Sequence, residues 1–206
     1  MKQFSSTASL VIVLLFLTAI PALADTPINP ERPGFTNGPD TVGTKILQLE
    51  GGITRSEGNY IFTDGGILRY GVSEQTELRL GLPSWQRGVG FSPVSYGLKT
   101  TLRPHLGLIV QTSGEHPSQT QAALEADFAI TRDWTLQVDA VRDSRWSSGF
   151  NLGRPLTKRL SLFVESYRLG AWYKDGGITY QLTPDQQLDI SGNEHFLGIG
   201  YAWRLR

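Results

Sequence analysis

The stretch "YGVSEQTELRLGLPSW" (residues 70–85) alternates apolar and charged residues. On an extended strand Leu78 and Leu80 would lie on one face, because successive side chains point to opposite sides. Glu77 and Arg79 would lie on the other face. In a soluble β-sandwich the leucines would face a core and the charges would face water. In an outer-membrane barrel the leucines would face lipid and the charges would face a polar lumen. The stretch therefore predicts a strand and leaves two folds open.

The first 24 residues, "MKQFSSTASLVIVLLFLTAIPALA", have the parts of a secretory signal. A short region with Lys2 precedes an apolar run over residues 10–20, and residues 22–24 (Ala-Leu-Ala) supply the small-x-small pattern that signal peptidase cleaves. The run is shorter than the roughly 20 residues that a membrane-spanning helix needs. We therefore predict a cleaved signal peptide at residues 1–24 and an exported mature chain.

The composition excludes several function classes. Lys plus Arg and Asp plus Glu number 19 each, so no excess of positive charge indicates a nucleic-acid surface. The chain has no cysteine, so it cannot form disulfide bonds. Its three histidines, His105, His116 and His195, fit no metal-ligand or catalytic-triad spacing. We expect no cofactor, no metal site and no catalytic residues, and therefore a protein that is not an enzyme.

A turn pattern recurs along the chain. An apolar residue with Ser or Thr leads into a few polar residues and then into an alternating strand, as in "GVSEQTELRLG" (71–81) and "QLTPDQQLDISG" (181–192). Longer connections alternate with these turns, at 55–59, 84–91, 114–118, 143–145, 169–173 and 193–195. The strands between them are 45–54, 60–72, 75–83, 92–102, 105–113, 119–130, 133–142, 146–155, 159–168, 174–183, 186–192 and 196–205. An even strand count with connections sorted by length is typical of outer-membrane barrels and places both termini in the periplasm.

The two faces of these strands favour the barrel. One face is apolar from Leu47 in the first strand to Ile199 in the last, and the other carries charged residues interleaved with glycine. Tryptophans near strand ends suit an aromatic girdle: Trp85, Trp134, Trp146, Trp172 and Trp203. We predict an all-β fold, an antiparallel up-and-down transmembrane β-barrel of about 12 strands over residues 44–206. The Pro/Gly-rich segment 25–43 cannot continue the sheet and lies either in the periplasm or in the lumen.

The charged residues of the polar face are the candidate lumen-lining and solute-lining residues. They are Glu50, Arg69, Glu77, Arg79, Lys99, Glu125, Asp127, Asp139, Glu165 and Asp189. Two interpretations stay open: a lining that guides small polar or amphipathic solutes, or salt bridges that fill a barrel without an open pore. The later strands have an acidic bias, which favours cations or neutral solutes.

Several stretches resemble the bacterial family of transporters of the putative MetA pathway of phenol degradation. They are "ERPGFTNGPDTVGTKILQLEGG" (31–52), "LRYGVSEQTELRLGLPSW" (68–85), "LFVESY" (162–167) and "DGGITYQLTPDQQLDISG" (175–192), and they follow in order over nearly the whole mature chain. The resemblance implies an outer-membrane β-barrel with a transport role. It adds little about the solute.

The sequence as a whole predicts a porin-like channel or transporter for small molecules, aromatic or amphipathic ones among them, in the outer membrane of a Gram-negative envelope. Its expected partners are outer-membrane lipid, small-molecule solutes and the barrel assembly machinery, with no nucleic acid. The alternatives are a non-conducting barrel with a structural or adhesive role and a soluble periplasmic β protein. For a barrel, Leu80→Arg would cost roughly 2–4 kcal/mol, and Glu77→Gln or Arg79→Gln would cost less.

Overall fold

The computed structural model describes residues 27–57, 60–63, 66–115 and 120–205. These residues form fifteen β-strands: β1 (Leu47–Ser56), β2 (Tyr60–Thr63), β3 (Ile67–Ser73), β4 (Thr76–Gly81), β5 (Trp85–Gln86), β6 (Gly90–Phe91), β7 (Ser95–Arg103), β8 (Leu106–Ser113), β9 (Thr120–Ala129), β10 (Thr135–Arg142), β11 (Trp146–Pro155), β12 (Leu160–Leu169), β13 (Ala171–Thr183), β14 (Gln186–Gly192) and β15 (Phe196–Leu205). Over the same residues no helix is long and apolar enough to cross a membrane. The predicted signal peptide lies outside the described residues and stays a prediction.

The strands form one closed antiparallel ring. The last strand, β15, pairs with β1 from Leu47↔Leu205 to Ser56↔Phe196, so the ring has no open edge. The first part of β1 pairs with β3 and its last part pairs with β2, so β2 and β3 act as one interrupted barrel strand. The short strands β5 and β6 extend the sheet beyond β2. The ring therefore contains twelve strands, which confirms the predicted fold class.

The barrel has two rims. We call the end that holds the start of β1 and the end of β15 the terminal rim, and the opposite end the distal rim. The connections at the terminal rim are 74–75, 104–105, 130–134, 156–159 and 184–185. The described residues of the connections at the distal rim are 57, 82–94, 114–115, 143–145, 170 and 193–195.

The prediction of a long connection at residues 169–173 is wrong. β12 and β13 stay paired up to Leu169↔Ala171, so only Gly170 lies in the turn. Its φ of 83° lies in the left-handed region, which glycine adopts without steric cost. Trp172 lies in strand β13, opposite Arg168 of β12. The sorting of connections by length is therefore weaker than predicted, and the connections between β4 and β7 and between β8 and β9 are the long ones at the distal rim.

The two faces of the sheet have the reverse of a soluble protein's polarity. Leu78 and Leu80 of β4 are 52% and 40% exposed, whereas Glu77 and Arg79 are 0% and 6% exposed. The same outward exposure continues around the ring at Tyr70, Leu98, Val110, Leu124, Val164, Ile178, Leu188, Ile190, Leu197 and Ile199. Apolar surface of this extent needs a covering phase, and buried charges need partners. The apolar face is therefore the exterior of the barrel and the charged face is its lumen.

Candidate functional site

Residues 27–43, which we call the plug, contact the inward faces of strands around the ring. The Ile28 N–H donates to the Pro184 carbonyl over 2.7 Å, and the Thr41 hydroxyl donates to the Glu74 carbonyl over 2.8 Å. Both contacts lie at the terminal rim, so the segment rises from that rim into the lumen and returns to it. Its prolines and glycines are poor partners for a strand, which leaves its backbone donors available to side chains.

One side of the lumen carries a network that we call the ionic wall, made of Glu50, Arg69, Glu77, Arg79 and Lys99 from β1, β3, β4 and β7. Arg69 and Arg79 are direct cross-strand partners. Their like charges are separated by Glu77, whose Oε1 accepts from Arg69 Nε over 2.8 Å and from Arg79 Nη1 over 2.9 Å. Glu50 Oε1 accepts from Arg69 Nη1 over 2.9 Å. Pairing of this kind is what allows charges to stay buried.

The plug inserts one carboxylate into the ionic wall. Glu31 accepts from Lys99 Nζ over 2.8 Å, lies 3.4 Å from Arg69 Nη2 and is bound through both oxygens by Arg79. Burial opposes ionisation of this carboxyl, but Arg69, Lys99 and Arg79 together hold the pKa of Glu31 well below its ordinary range. Sequence analysis missed Glu31, because it lies in a Pro/Gly-rich segment outside any strand periodicity.

The other side of the lumen carries four carboxylates that we call the acidic wall: Asp139, Glu165, Asp175 and Asp189, from β10, β12, β13 and β14. The plug supplies their donors. Glu165 accepts from the backbone N–H groups of Phe35 over 2.7 Å and Thr36 over 2.9 Å. Asp139 accepts from the Asn37 N–H over 3.0 Å, and Asp189 accepts from Arg32 Nη2 over 3.3 Å. The plug thus gives the acidic wall donors alone, whereas it gives the ionic wall the Glu31 carboxylate together with backbone N–H donors to Glu50 and Glu77.

Asp175 differs from the other members of the acidic wall. It is 8% exposed and directly opposite Glu165 in the strand register, and neither of its oxygens receives a hydrogen bond from a donor among the described residues. Sequence analysis missed this residue, although it lies within the predicted strand 174–183. Alternation could have found it, since Ile178 faces outward and the residue three positions earlier must face inward.

Glycines on the inward face make room for the plug. A Cβ atom on Gly107 would lie 2.9 Å from the Pro39 carbonyl oxygen, and one on Gly200 would lie 2.2 Å from Arg32 Nε. Side chains at these positions would collide with the plug, since real Cβ contacts are not this short. Gly107 and Gly200 therefore mark two places where the plug approaches the wall, whereas Gly97 and Gly177 face atoms of neighbouring strands.

All ten predicted site residues lie on the inward face, and nine of them are buried. Glu125 lies between the two walls, opposite Asp139 in the strand register, and its Oε2 is 2.9 Å from Lys99 Nζ of the ionic wall. Asp127 is the member that is not buried: its side chain is 23% exposed near the terminal rim, 3.1 Å from His105 Nδ1. Contact of these side chains with a solute stays a prediction.

The histidines lie far apart in the ring. His105 lies at the terminal rim and His195 at the distal rim, and His116 lies outside the described residues. The hydrogen bond with Glu57, at 2.8 Å, raises the pKa of His195 and links two exposed connections. Within the described residues no group of three or more His, Asp or Glu side chains is placed to hold a metal ion.

Space remains on both sides of the plug. A cavity of about 510 Å³ opens towards the terminal rim and includes Thr157 in its lining. A cavity of about 390 Å³ opens towards the distal rim and includes Ser92. Glu31 and Arg32 line both cavities. These two plug residues therefore separate two volumes that lie along one lumen.

Comparison with solved structures finds the same fold. The KdgM porin is 9% identical and aligns with a TM-score of 0.54 over 77% of this chain and 99% of that chain. The KdgM porin in complex with disordered oligogalacturonate is 8% identical, with a TM-score of 0.52 over 78% of this chain and 99% of that chain. Omp33 of Acinetobacter baumannii is 12% identical over 77% of this chain and 97% of that chain, with a TM-score of 0.47.

No protein-family model and no curated protein matches the chain, so the resemblance to the phenol-degradation family rests on the quoted stretches alone. At the identities of the KdgM structures the likeness shows the fold and nothing finer. That fold is an all-β, antiparallel, closed barrel of twelve strands, as in a porin.

Proposed function

We propose that the chain forms an outer-membrane channel for small molecules, closed in this structure by the plug. The observation that carries the proposal is the pair of cavities separated by Glu31 and Arg32. They lie inside a barrel with an apolar exterior and a polar lumen. That polarity suits a bilayer, where closed sheets satisfy every backbone group and the lumen stays polar.

Displacement of the plug would join the two cavities. Both ends of the plug lie at the terminal rim, so the segment can withdraw towards that rim while β1 keeps its pairing with β15. Its polar contacts with the walls are hydrogen bonds and ion pairs, which water or a solute can replace, and the stacked contact between Phe35 and Tyr167 also has to break. Opening is therefore a local event in an intact barrel.

The proposal includes a location and an orientation. The chain is exported, inserted by the barrel assembly machinery and surrounded by outer-membrane lipid, with its terminal rim in the periplasm. A cysteine at Asn193 of the distal rim should react with an impermeant thiol reagent on intact cells. A cysteine at Arg132 of the terminal rim, where the side chain is exposed, should react after the outer membrane is permeabilised. The reverse labelling pattern would contradict the orientation.

The solute class is narrowed by charge. The KdgM complex contains oligogalacturonate, which is a polyanion. Carboxylates outnumber basic side chains on the inward face of the present barrel, which disfavours solutes of that charge. The resemblance to the phenol-degradation family adds aromatic and amphipathic molecules to the candidates.

Conductance in planar bilayers tests the channel. Wild-type protein should show discrete openings, and Glu31→Gln should open more often, because it weakens the contacts with Arg69, Arg79 and Lys99. Glu115→Gln, an exposed carboxylate in the connection between β8 and β9, is the matched control. Heat-modifiable migration shows that each sample is a folded barrel.

Two results would contradict the proposal. Folded protein that stays silent as wild type and as Glu31→Gln would favour the alternative of a non-conducting structural or adhesive barrel. Recovery of the protein from the soluble fraction without detergent would favour a soluble periplasmic β protein.

A further inference from the structure

We infer that the opened lumen selects cationic solutes with N–H donors, of which protonated amines are the simplest, and that the acidic wall is the selecting surface. The inference rests on the proposed channel function, and it follows from what the plug supplies to the lumen and what the barrel lacks without it.

The charges of the barrel strands are unevenly matched. Arg69, Arg79 and Lys99 are paired within the barrel with Glu50, Glu77 and Glu125. The inward face of β10–β14, in the part of the chain that the structure describes, carries no Lys or Arg beside the four carboxylates of the acidic wall. When the plug leaves, the ionic wall keeps its internal pairs and the acidic wall keeps an uncompensated negative charge.

The plug occupies the acidic wall in the way a cationic solute would. It presents the Arg32 guanidinium to Asp189 and three consecutive backbone N–H groups, from residues 35–37, to Glu165 and Asp139. A buried carboxylate that loses its hydrogen-bond donors raises the free energy of the protein, because its charge is then neither paired nor solvated. A solute that replaces the plug therefore has to bring positive charge and N–H donors to the same oxygens.

Asp175 provides hydrogen-bond acceptors on the acidic wall that the plug does not bind. Its carboxylate is more than nine-tenths buried and receives no hydrogen bond from a described donor, although it lies in the lumen opposite Glu165. Asp175 is therefore a position at which lumenal charge can be changed without removing an acceptor of the plug.

The test compares reversal potentials of wild type and Asp175→Asn across a potassium chloride gradient in planar bilayers. Wild type should prefer K⁺ over Cl⁻, and Asp175→Asn should lower that preference by about twofold, because one lumenal charge of several is lost. Asp133→Asn, an exposed carboxylate at the terminal rim, is the matched control and should leave the preference unchanged. Replacement of potassium chloride on one side by 1,4-diaminobutane dihydrochloride should still give an inward cation current.

The possible outcomes distinguish failure of the proposed cation selectivity from failure of the proposed channel function. A channel that conducts but prefers Cl⁻, shows no preference or excludes the diamine would overturn the inference and leave the channel function standing. An Asp175→Asn channel with the selectivity of wild type would overturn the assignment to the acidic wall. Absence of conductance in folded protein would overturn the channel function and the selectivity with it.

Discussion

The ionic wall and the acidic wall share one lumen but balance charge in different ways. On the ionic wall Arg69 is bound to Glu50 and Glu77 of neighbouring strands, so cations and anions are paired within the barrel itself. On the acidic wall the barrel supplies carboxylates and the plug supplies the donors. The two kinds of pair therefore stabilise different things. Pairs between strands stabilise the barrel, and pairs between a strand and the plug stabilise the closed state.

The largest effect that the comparison predicts is on the ionic wall. Arg69→Gln would leave Glu50 and Glu77 buried without their main partner, and the free energy of unfolding should fall by about 3–5 kcal/mol. Urea unfolding in lipid vesicles, followed by heat-modifiable migration, measures the loss. Arg168→Gln, an exposed arginine on β12, is the control and should change the free energy by less than about 1 kcal/mol. Equal losses in the two variants would remove the structural role assigned to the ionic wall.

A smaller and more local effect is expected on the acidic wall. Glu165→Gln keeps one acceptor oxygen for two plug N–H groups, so about 1–2 kcal/mol of plug retention should be lost while the ring stays paired. Amide hydrogen exchange at Phe35 and Thr36 should become roughly tenfold faster, with barrel amides unchanged. The exposed Glu194→Gln is the control. Faster exchange throughout β12 and β13 would instead mean that Glu165 stabilises the barrel.

The smallest effect is a pH dependence that belongs to Glu31. Its pKa is lowered from an ordinary value of 4.5, so its ionised form stabilises the closed state. That contribution is fully present above about pH 4.5 and is lost as the pH falls through the lowered pKa. The difference in open probability between wild type and Glu31→Gln should therefore be constant from about pH 7 to pH 5 and should vanish in stronger acid. A difference that disappears between pH 7 and pH 5 would contradict the assigned role.

The barrel was predictable because its determinants are local and periodic. Alternation along each strand assigns Leu80 to the exterior and Glu77 to the lumen, and turn residues mark where strands end. The predicted strand 186–192 coincides with β14, and the predicted strand 146–155 coincides with β11. The error at 169–173 arose where Gly170 makes a turn too short to interrupt two well-paired strands.

The plug and its partners could not be predicted in the same way. Glu31 lies in an irregular segment, and its three cationic neighbours come from three strands that the fold alone brings together. The expected cost of lumenal substitutions also changes for this reason. From the sequence, Glu77→Gln and Arg79→Gln should cost less than Leu80→Arg, because water would satisfy the remaining groups. In the structure both side chains are buried and ion-paired with each other. Either substitution is therefore expected to lower the free energy of unfolding by as much as Leu80→Arg does.

The central claim, that the plug has to leave the lumen for solutes to pass, is tested most directly by locking the plug in place. A Cβ atom on Gly149 would lie 3.7 Å from the Thr36 Cβ, close to the mean of about 3.8 Å in disulfides, and the chain has no other cysteine. The double variant Thr36→Cys, Gly149→Cys should be silent in planar bilayers when oxidised and should conduct after reduction, while Thr36→Cys alone should conduct in both conditions. Conductance of the fully oxidised double variant at the level of the reduced one would contradict the account.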